Sequence, residues 1–190
     1  SCSSSTKTDV HAAADPTVRV GIDFDNTIVN YDTLFHKVAL EKGVVPPTLP
    51  VSKLAVRNHL REIGQEDVWT EMQGYVYGAR MNEAAMYSGV IEFFQWARAQ
   101  QINLAIVSHK TRHPFIGPQY DLHRAAREWV ETHLISGGES LIDATQVYFE
   151  LTKEEKIKRI GTIACDAFID DLPEILLVKD FPAATQRFLF

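Results

Sequence analysis

Asp23 and Asp25 stand two residues apart at the end of the apolar run Val18-Arg19-Val20-Gly21-Ile22, with Phe24 between them. A short, β-branched apolar run reads as a buried strand. Alternation in extended chain points side chains two apart to the same side. The spacing predicts two carboxylates at the carboxyl end of one strand, with Phe24 facing the interior. Two acids so close repel each other unless a cation or a shared proton intervenes. Mg²⁺ suits the place, because it takes hard oxygen ligands and keeps waters and substrate phosphate oxygens in its shell. Taken alone, the same residues also suit a plain strand end, where Asp and Asn are common.

Three further groups carry candidate chemistry. Ser108 closes a second apolar strand, Asn103 to Val107, and the basic, polar run His109-Lys110-Thr111-Arg112-His113 follows it. Such a run suits a solvated loop, or substrate contact by His109 or Lys110 because it leaves the strand end directly. Asp170 and Asp171 close another strand, Ala167 to Ile169. Between these, Thr152 and Glu155 form a capping-box pattern that opens a helix. Lys153 and Lys156 sit one turn apart near its start. Lys156 precedes Asp170 by 14 residues. That gap suits a short helix, a turn and a strand, and it favours Lys156, with Lys153 the alternative. Thr27 is placed either to contact phosphate or to cap the turn. His36, His59, His123 and His133 lack metal-ligand spacing and read as surface or satisfied interior residues. Trp69, Tyr75, Tyr77, Arg80 and Met86 read as helix packing, with Arg80 in reach of an anion.

The elements that must position these residues alternate. Tyr31, Leu34, Phe35 and Val38 recur with helical period up to Lys42-Gly43. Pro46 to Pro50 is a rigid connector, and a second helix runs from Ser52 to Ile63 with Leu54, Val56, Leu60 and Ile63 apolar. A third covers about Glu66 to Met86, with Gly74 or Gly78 as a break. Residues 31–87 thus read as an all-helical insertion after the first strand, where a simple unit has one crossover helix. Gly89 opens another helix with Val90, Ile91, Phe93, Phe94, Trp96 and Ala97 as its buried stripe. Helix follows over Asp121 to Leu134, strand over Gln146 to Phe149, helix from Thr152 to Ile163, a short helix over Leu172 to Val178 and a last strand over Arg187 to Phe190. The fold class is α/β: a three-layer, Rossmann-like core with a parallel sheet of about five strands, formed by 18–30 and 88–190, with the helical insert 31–87. Ligands in such sheets bind beyond the carboxyl ends of the strands.

The balance of charge narrows the function classes. A net charge of -6 and a pI near 5.6 argue against nucleic acid as a partner. An anionic substrate then needs a local cation. Two cysteines, Cys2 and Cys165, make no disulfide framework, so a reducing, cytoplasmic setting is expected. No stretch approaches the roughly 18 apolar residues that span a membrane. Residues 1–17 are polar and small and read as a disordered arm or tag remnant.

Taken in order, Asp23-Phe24-Asp25-Asn26-Thr27, the hydroxyl of Ser108 after Ile106-Val107, the helix lysine, and Phe168-Ile169-Asp170-Asp171-Leu172-Pro173-Glu174 resemble the motifs of the haloacid dehalogenase-like hydrolase superfamily. The resemblance covers about residues 18–180. It implies an Mg²⁺-dependent phosphatase acting on a small phosphorylated metabolite. Asp23 would be the nucleophile that forms an aspartyl-phosphate, and Asp25 the general acid and then base. Ser108 would hold a phosphoryl oxygen and Lys156 would neutralise developing charge. Asp23, the carbonyl of Asp25, and Asp170 would hold the metal, with Asp171 on a metal-bound water or orienting the lysine. The insert would act as a cap that excludes water and selects the leaving group. The double-Asp fourth motif departs from the Gly-Asp-Gly form common in the family, which loosens any subfamily assignment. A dehalogenase would not need Asp25. A phosphomutase would use the same residues, and a non-catalytic phosphate-binding or interaction domain would have no need of the full set.

Overall fold

A computed structural model describes residues 17–190. The arm expected at 1–17 lies, except for Thr17, outside the described residues. The core strands are β1 (Arg19–Ile22), β4 (Asn103–His109), β7 (Val147–Glu150), β8 (Ala167–Asp170) and β9 (Gln186–Leu189). They form one sheet in the order β7-β4-β1-β8-β9, every neighbouring pair parallel. β1 is central, so the acids that follow it emerge in the middle of the sheet edge. Alternation along β4 divides the core: Leu104 and Ile106 join one buried cluster with Phe94 and Trp129, while Ala105 and Val107 join another with Ile157, Ile160 and Phe168. Helices α4 (Val90–Ala99) and α5 (Leu122–His133) contribute to the first cluster, and α6 (Lys153–Thr162) and α7 (Pro173–Leu176) to the second. The result is the expected three-layer α/β core.

The centre of the sheet is tightly packed. A Cβ added to Gly21 would lie 2.6 Å from Phe168 Cδ2 and 2.9 Å from Cys165 Sγ. Neither side chain has room to retreat, since both are buried. Gly21→Ala is therefore expected to destabilise the fold by about 1–3 kcal/mol through overpacking. An unchanged urea midpoint would show that β1 relaxes around the methyl group.

Residues 31–87 depart from the all-helical expectation. Helices α1 (Asp32–Glu41), α2 (Lys53–Glu62) and α3 (Glu66–Gly78) form as predicted, and α3 stops at Gly78, one of the two expected breaks, with no helix resuming toward Met86. A 3₁₀ turn at Met81–Glu83 follows, and then the two-residue strand β3 (Ala85–Met86), which pairs antiparallel with β2 (Val29–Asn30). Tyr87 N continues the ladder by donating to Ile28 O at 2.9–3.0 Å spacing typical of such bonds, here 3.0 Å. The returning chain thus satisfies its backbone beside the departing one. Trp129 Nε1 donates to Ala84 O at 2.9 Å and fastens the return to α5.

Two packing expectations also change. Trp96, placed in the buried stripe of α4, is exposed, and only Phe94 and Ala97 of that stripe are fully buried. Trp96 instead lies against the ring of Phe93. Leu54 and Ile63 of the second predicted helix are likewise exposed, while Val56 and Leu60 carry its contact face. A hairpin of β5 (Ile135–Ser136) and β6 (Glu139–Ser140) occupies the Gly137-Gly138 break after α5. Among the described residues, no helix is long and apolar enough to cross a membrane.

Candidate active site

The strand β1 ends at Ile22 and the chain then turns sharply. Phe24 O accepts from the amides of Ile28 (3.0 Å) and Val29 (3.1 Å), and Asn26 takes the left-handed conformation at φ 62°. Asn tolerates that region better than most residues. Phe24 is fully buried and sits edge-on to Trp129 and Phe149. This anchor sends Asp23 and Asp25 to different partners.

Asp23 faces α6. Lys156 Nζ donates to Asp23 Oδ1 at 2.8 Å and to Asp170 Oδ2 at 2.6 Å, and all three side chains are buried. The Thr152 capping box fixes the first turn of α6, so Lys156 points inward one turn later while Lys153 is only half-buried. It is Asp170, not Asp171, that receives the ammonium. Asp170 Oδ1 also accepts from Leu172 N at 2.9 Å, which locks the carboxylate at the start of the turn into α7. Burial opposes the charge on Lys156, but Asp23 and Asp170 outweigh it and hold the ammonium above its ordinary pKa. Thr27 turns its side chain toward the carboxylates. Its hydroxyl lies 3.3 Å from Asp23 Oδ2 and 3.2 Å from Asp171 Oδ1 and bridges the two acids.

Asp25 faces the insert and the loop after β4. Lys110 Nζ lies 3.3 Å from Asp25 Oδ2, and the Tyr31 hydroxyl donates to Asp25 Oδ1. Desolvation works against the Asp25 charge, yet Lys110, Tyr31 and Lys53 overcome it and keep its carboxyl below the ordinary value. Lys110 is held from behind, because His123 Nε2 donates to Lys110 O at 2.8 Å. Ser108 is buried at the end of β4, level with Phe149 of β7. His109 follows it, half-buried, and its Nδ1 has no hydrogen-bond partner.

Three residues of this site were not singled out from the sequence for chemistry. Tyr31 was read only as helix packing, but its hydroxyl reaches Asp25. Tyr77 of α3 lies edge-on to Tyr31 at 5.1 Å, and Lys53 of α2 donates to the Tyr77 hydroxyl at 2.8 Å. A buried phenol needs a polar partner, but burial at these positions has no linear signature. Arg80, by contrast, is taken up within the insert by Glu41 and Glu83 and does not reach the site.

Asp23, Asp170 and Asp171 each offer one oxygen within 4.8 Å of the others. Burial, followed by the neighbouring Asp23 carboxylate, pushes Asp171 up to about 7, and Asp170 is raised for the same reasons. One ammonium therefore does not balance this cluster. An all-oxygen donor set with surplus negative charge fits a hard divalent cation.

No protein-family model matches the chain, and no curated protein matches it in sequence. Solved structures do match. A HAD-superfamily hydrolase, subfamily IA, variant 1, from Geobacter sulfurreducens PCA shares 13% identity over 90% of this chain and 91% of its own, with a TM-score of 0.50. A hydrolase from Streptococcus pneumoniae TIGR4 shares 13% identity over 92% of each chain, also with a TM-score of 0.50. Identities this low speak for architecture. The five-stranded parallel sheet, with acids at the ends of β1 and β8 and an insert after β1, has the fold of the HAD-superfamily hydrolases.

Proposed function

We propose that this protein is an Mg²⁺-dependent phosphomonoester hydrolase that works through an aspartyl-phosphate on Asp23 and acts on a small phosphorylated substrate. The observation that carries the reading is the division of labour between the two acids of β1. Asp23 is held by Lys156 and Thr27 within the carboxylate cluster, while Asp25 is held by Lys110 and Tyr31 on the side facing the insert. A nucleophile and a proton carrier need different surroundings, and the two positions have them.

In this reading one oxygen of Asp23 attacks phosphorus, and the bond from phosphorus to the ester oxygen breaks. The leaving oxygen takes the proton of Asp25. In the resting site Asp25 is a carboxylate paired with Lys110. The phosphoryl group of an arriving ester brings negative charge that competes for Lys110 and raises the proton affinity of Asp25, which takes up a proton from solvent before it donates to the leaving oxygen. Once ionised again, Asp25 removes a proton from water, which attacks the acyl-phosphate and frees Asp23 and inorganic phosphate. Lys156 holds the attacking carboxylate in place and offsets charge on the transferring group. Ser108 and Lys110, with His109, hold the phosphoryl oxygens in this reading. Asp23, Asp170 and Asp171, with the carbonyl of Asp25, are the residues that would hold Mg²⁺. Bound there, the ion would neutralise phosphoryl oxygens and orient the group for in-line transfer. Residues 31–87 serve as the cap over this site.

The test is Asp25→Asn with 4-nitrophenyl phosphate and Mg²⁺. Loss of proton transfer typically costs about 10²–10⁴ in rate. An activated leaving group needs little protonation, so Asp23 should still be phosphorylated while hydrolysis of the intermediate stalls. Acid-quenched protein is expected to carry one added phosphate by mass. Slow turnover with no phosphorylated protein at any time would argue for direct attack by water and against a covalent route.

A further inference from the structure

A chamber of about 240 Å³ opens beside Asp25 between α3 of the insert and the loop after β4. Below, Asp25 and Lys110 form its polar end. Thr70, Gln73 and Tyr77 line one wall and Phe115 the other. Its size is about eight waters' worth of space, at about 30 Å³ each. That suits a leaving group of a few carbons up to a single sugar ring.

We propose that this chamber receives an uncharged, hydroxyl-bearing leaving group, a sugar or polyol skeleton, and that Gln73 with Thr70 selects it. The inference rests on the phosphatase reading above and adds the class of alcohol released. Charge is the first argument. Among the described residues, the only formally charged side chains lining the chamber are Asp25 and Lys110, and they pair with each other at 3.3 Å. Lys110 is thereby committed to the end where phosphorus reacts. Lys53 does not line the chamber; it lies 5.4 Å from the ring centres of both Tyr31 and Phe35 and donates to the Tyr77 hydroxyl. His109 is kept below its ordinary pKa by burial and by Lys156, which disfavours a charged ring there. A carboxylate or second phosphate placed here would lose water and find no cation, which is costly.

Hydrogen bonding is the second argument. The Gln73 amide offers donors and an acceptor together, the pairing that a hydroxyl can use in both directions. Thr70 Oγ1 donates to Glu66 O at 3.1 Å, which leaves its lone pairs to accept from a substrate hydroxyl. The aromatic faces complete the fit. Tyr77 is a wall of the chamber and Phe115 stands 82% exposed at its mouth. Such rings cover the C–H faces of a polyol while its hydroxyls meet the polar wall.

Matched ester pairs test this. Glycerol, pentose and hexose phosphates are compared with the same skeletons bearing a terminal carboxylate, with 4-nitrophenyl phosphate as reference and Mg²⁺ present. The best neutral ester is expected to exceed its acidic partner by roughly 10²-fold or more in kcat/KM, the scale of an unpaired buried charge. Gln73→Lys is expected to narrow that ratio at least tenfold by supplying the missing cation. If 4-nitrophenyl phosphate is hydrolysed and acidic esters match or exceed neutral ones, the inference is overturned while the phosphatase reading stands. The same holds if neither kind of sugar ester exceeds the reference, or if folded Gln73→Lys keeps the wild-type ratio. Failure to hydrolyse any ester, the reference included, overturns the phosphatase reading itself and this inference with it.

Discussion

Asp23→Asn is expected to abolish phosphoester turnover, with a loss of roughly 10⁴-fold or more, the scale seen when an enzyme loses its nucleophile. An amide is a poor attacking group and a poor ligand for a hard cation. The variant is informative because the substitution is nearly isosteric and the site tolerates it. Lys156 keeps its contact with Asp170 at 2.6 Å. On the other oxygen, 3.3 Å from Thr27, the new NH₂ can donate to the hydroxyl, which remains free to donate to Asp171. One negative charge also leaves a cluster in which Asp170 and Asp171 are already raised by burial and by Asp23. The metal-free variant should therefore melt no lower than wild type, so lost activity cannot be blamed on lost fold. Phosphoester turnover within tenfold of wild type would remove Asp23 from the role of nucleophile.

Much of this arrangement was legible because strand ends and short-range spacing are local properties. Apolar runs ending in Asp23, Ser108 and Asp170 marked three carboxyl ends, and a parallel sheet brings such ends to one edge. The capping box at Thr152 marked the start of α6, and the 14-residue gap to Asp170 favoured Lys156 over Lys153. The contribution of the insert was not legible. Tyr31, Lys53 and Tyr77 come from three separate segments, and each sits in a pattern that packing alone explains. Their meeting beside Asp25 is a product of how α1, α2 and α3 cross. The paired strands β2 and β3 were missed for another reason: two residues each give no periodicity to detect. Trp96 shows the opposite error, because hydrophobicity was read as burial, and a large apolar residue at the surface is ordinary.

The second large effect concerns Lys156, and it joins the stability of the site to its chemistry. Lys156→Met keeps the length of the side chain and its packing beside Phe168, whose ring centre lies 5.5 Å from the ammonium. It removes the one cation that, among the described residues, touches Asp23 and Asp170. With Lys156 1% exposed and its partners 6% and 0% exposed, both carboxylates would be left buried without compensation. Breaking a buried pair in this way costs about 3–5 kcal/mol, and in a chelator the variant should be destabilised by that amount at pH 8. The pH dependence has a definite sign. Carboxylates whose folded pKa is raised above the unfolded value favour the fold below that unfolded value, and this contribution is lost as pH rises through the folded pKa. Asp171 already stands at about 7 with the lysine present, against an ordinary 3.8. The deficit relative to wild type should therefore be smallest below pH 3.8, where such acids are protonated in the unfolded chain as well, and should grow as pH rises to 7 and beyond. Adding Mg²⁺ should raise the melting temperature of the variant more than that of wild type, because the ion then meets a cluster with no other counter-charge. Turnover should still fall by about 10²–10³ or more, since charge on the transferring group loses a fixed partner. A variant as stable as wild type at pH 8 in a chelator, with turnover intact, would mean that the ammonium does not lie between Asp23 and Asp170 in solution, and the two-sided division of the site would have to be given up.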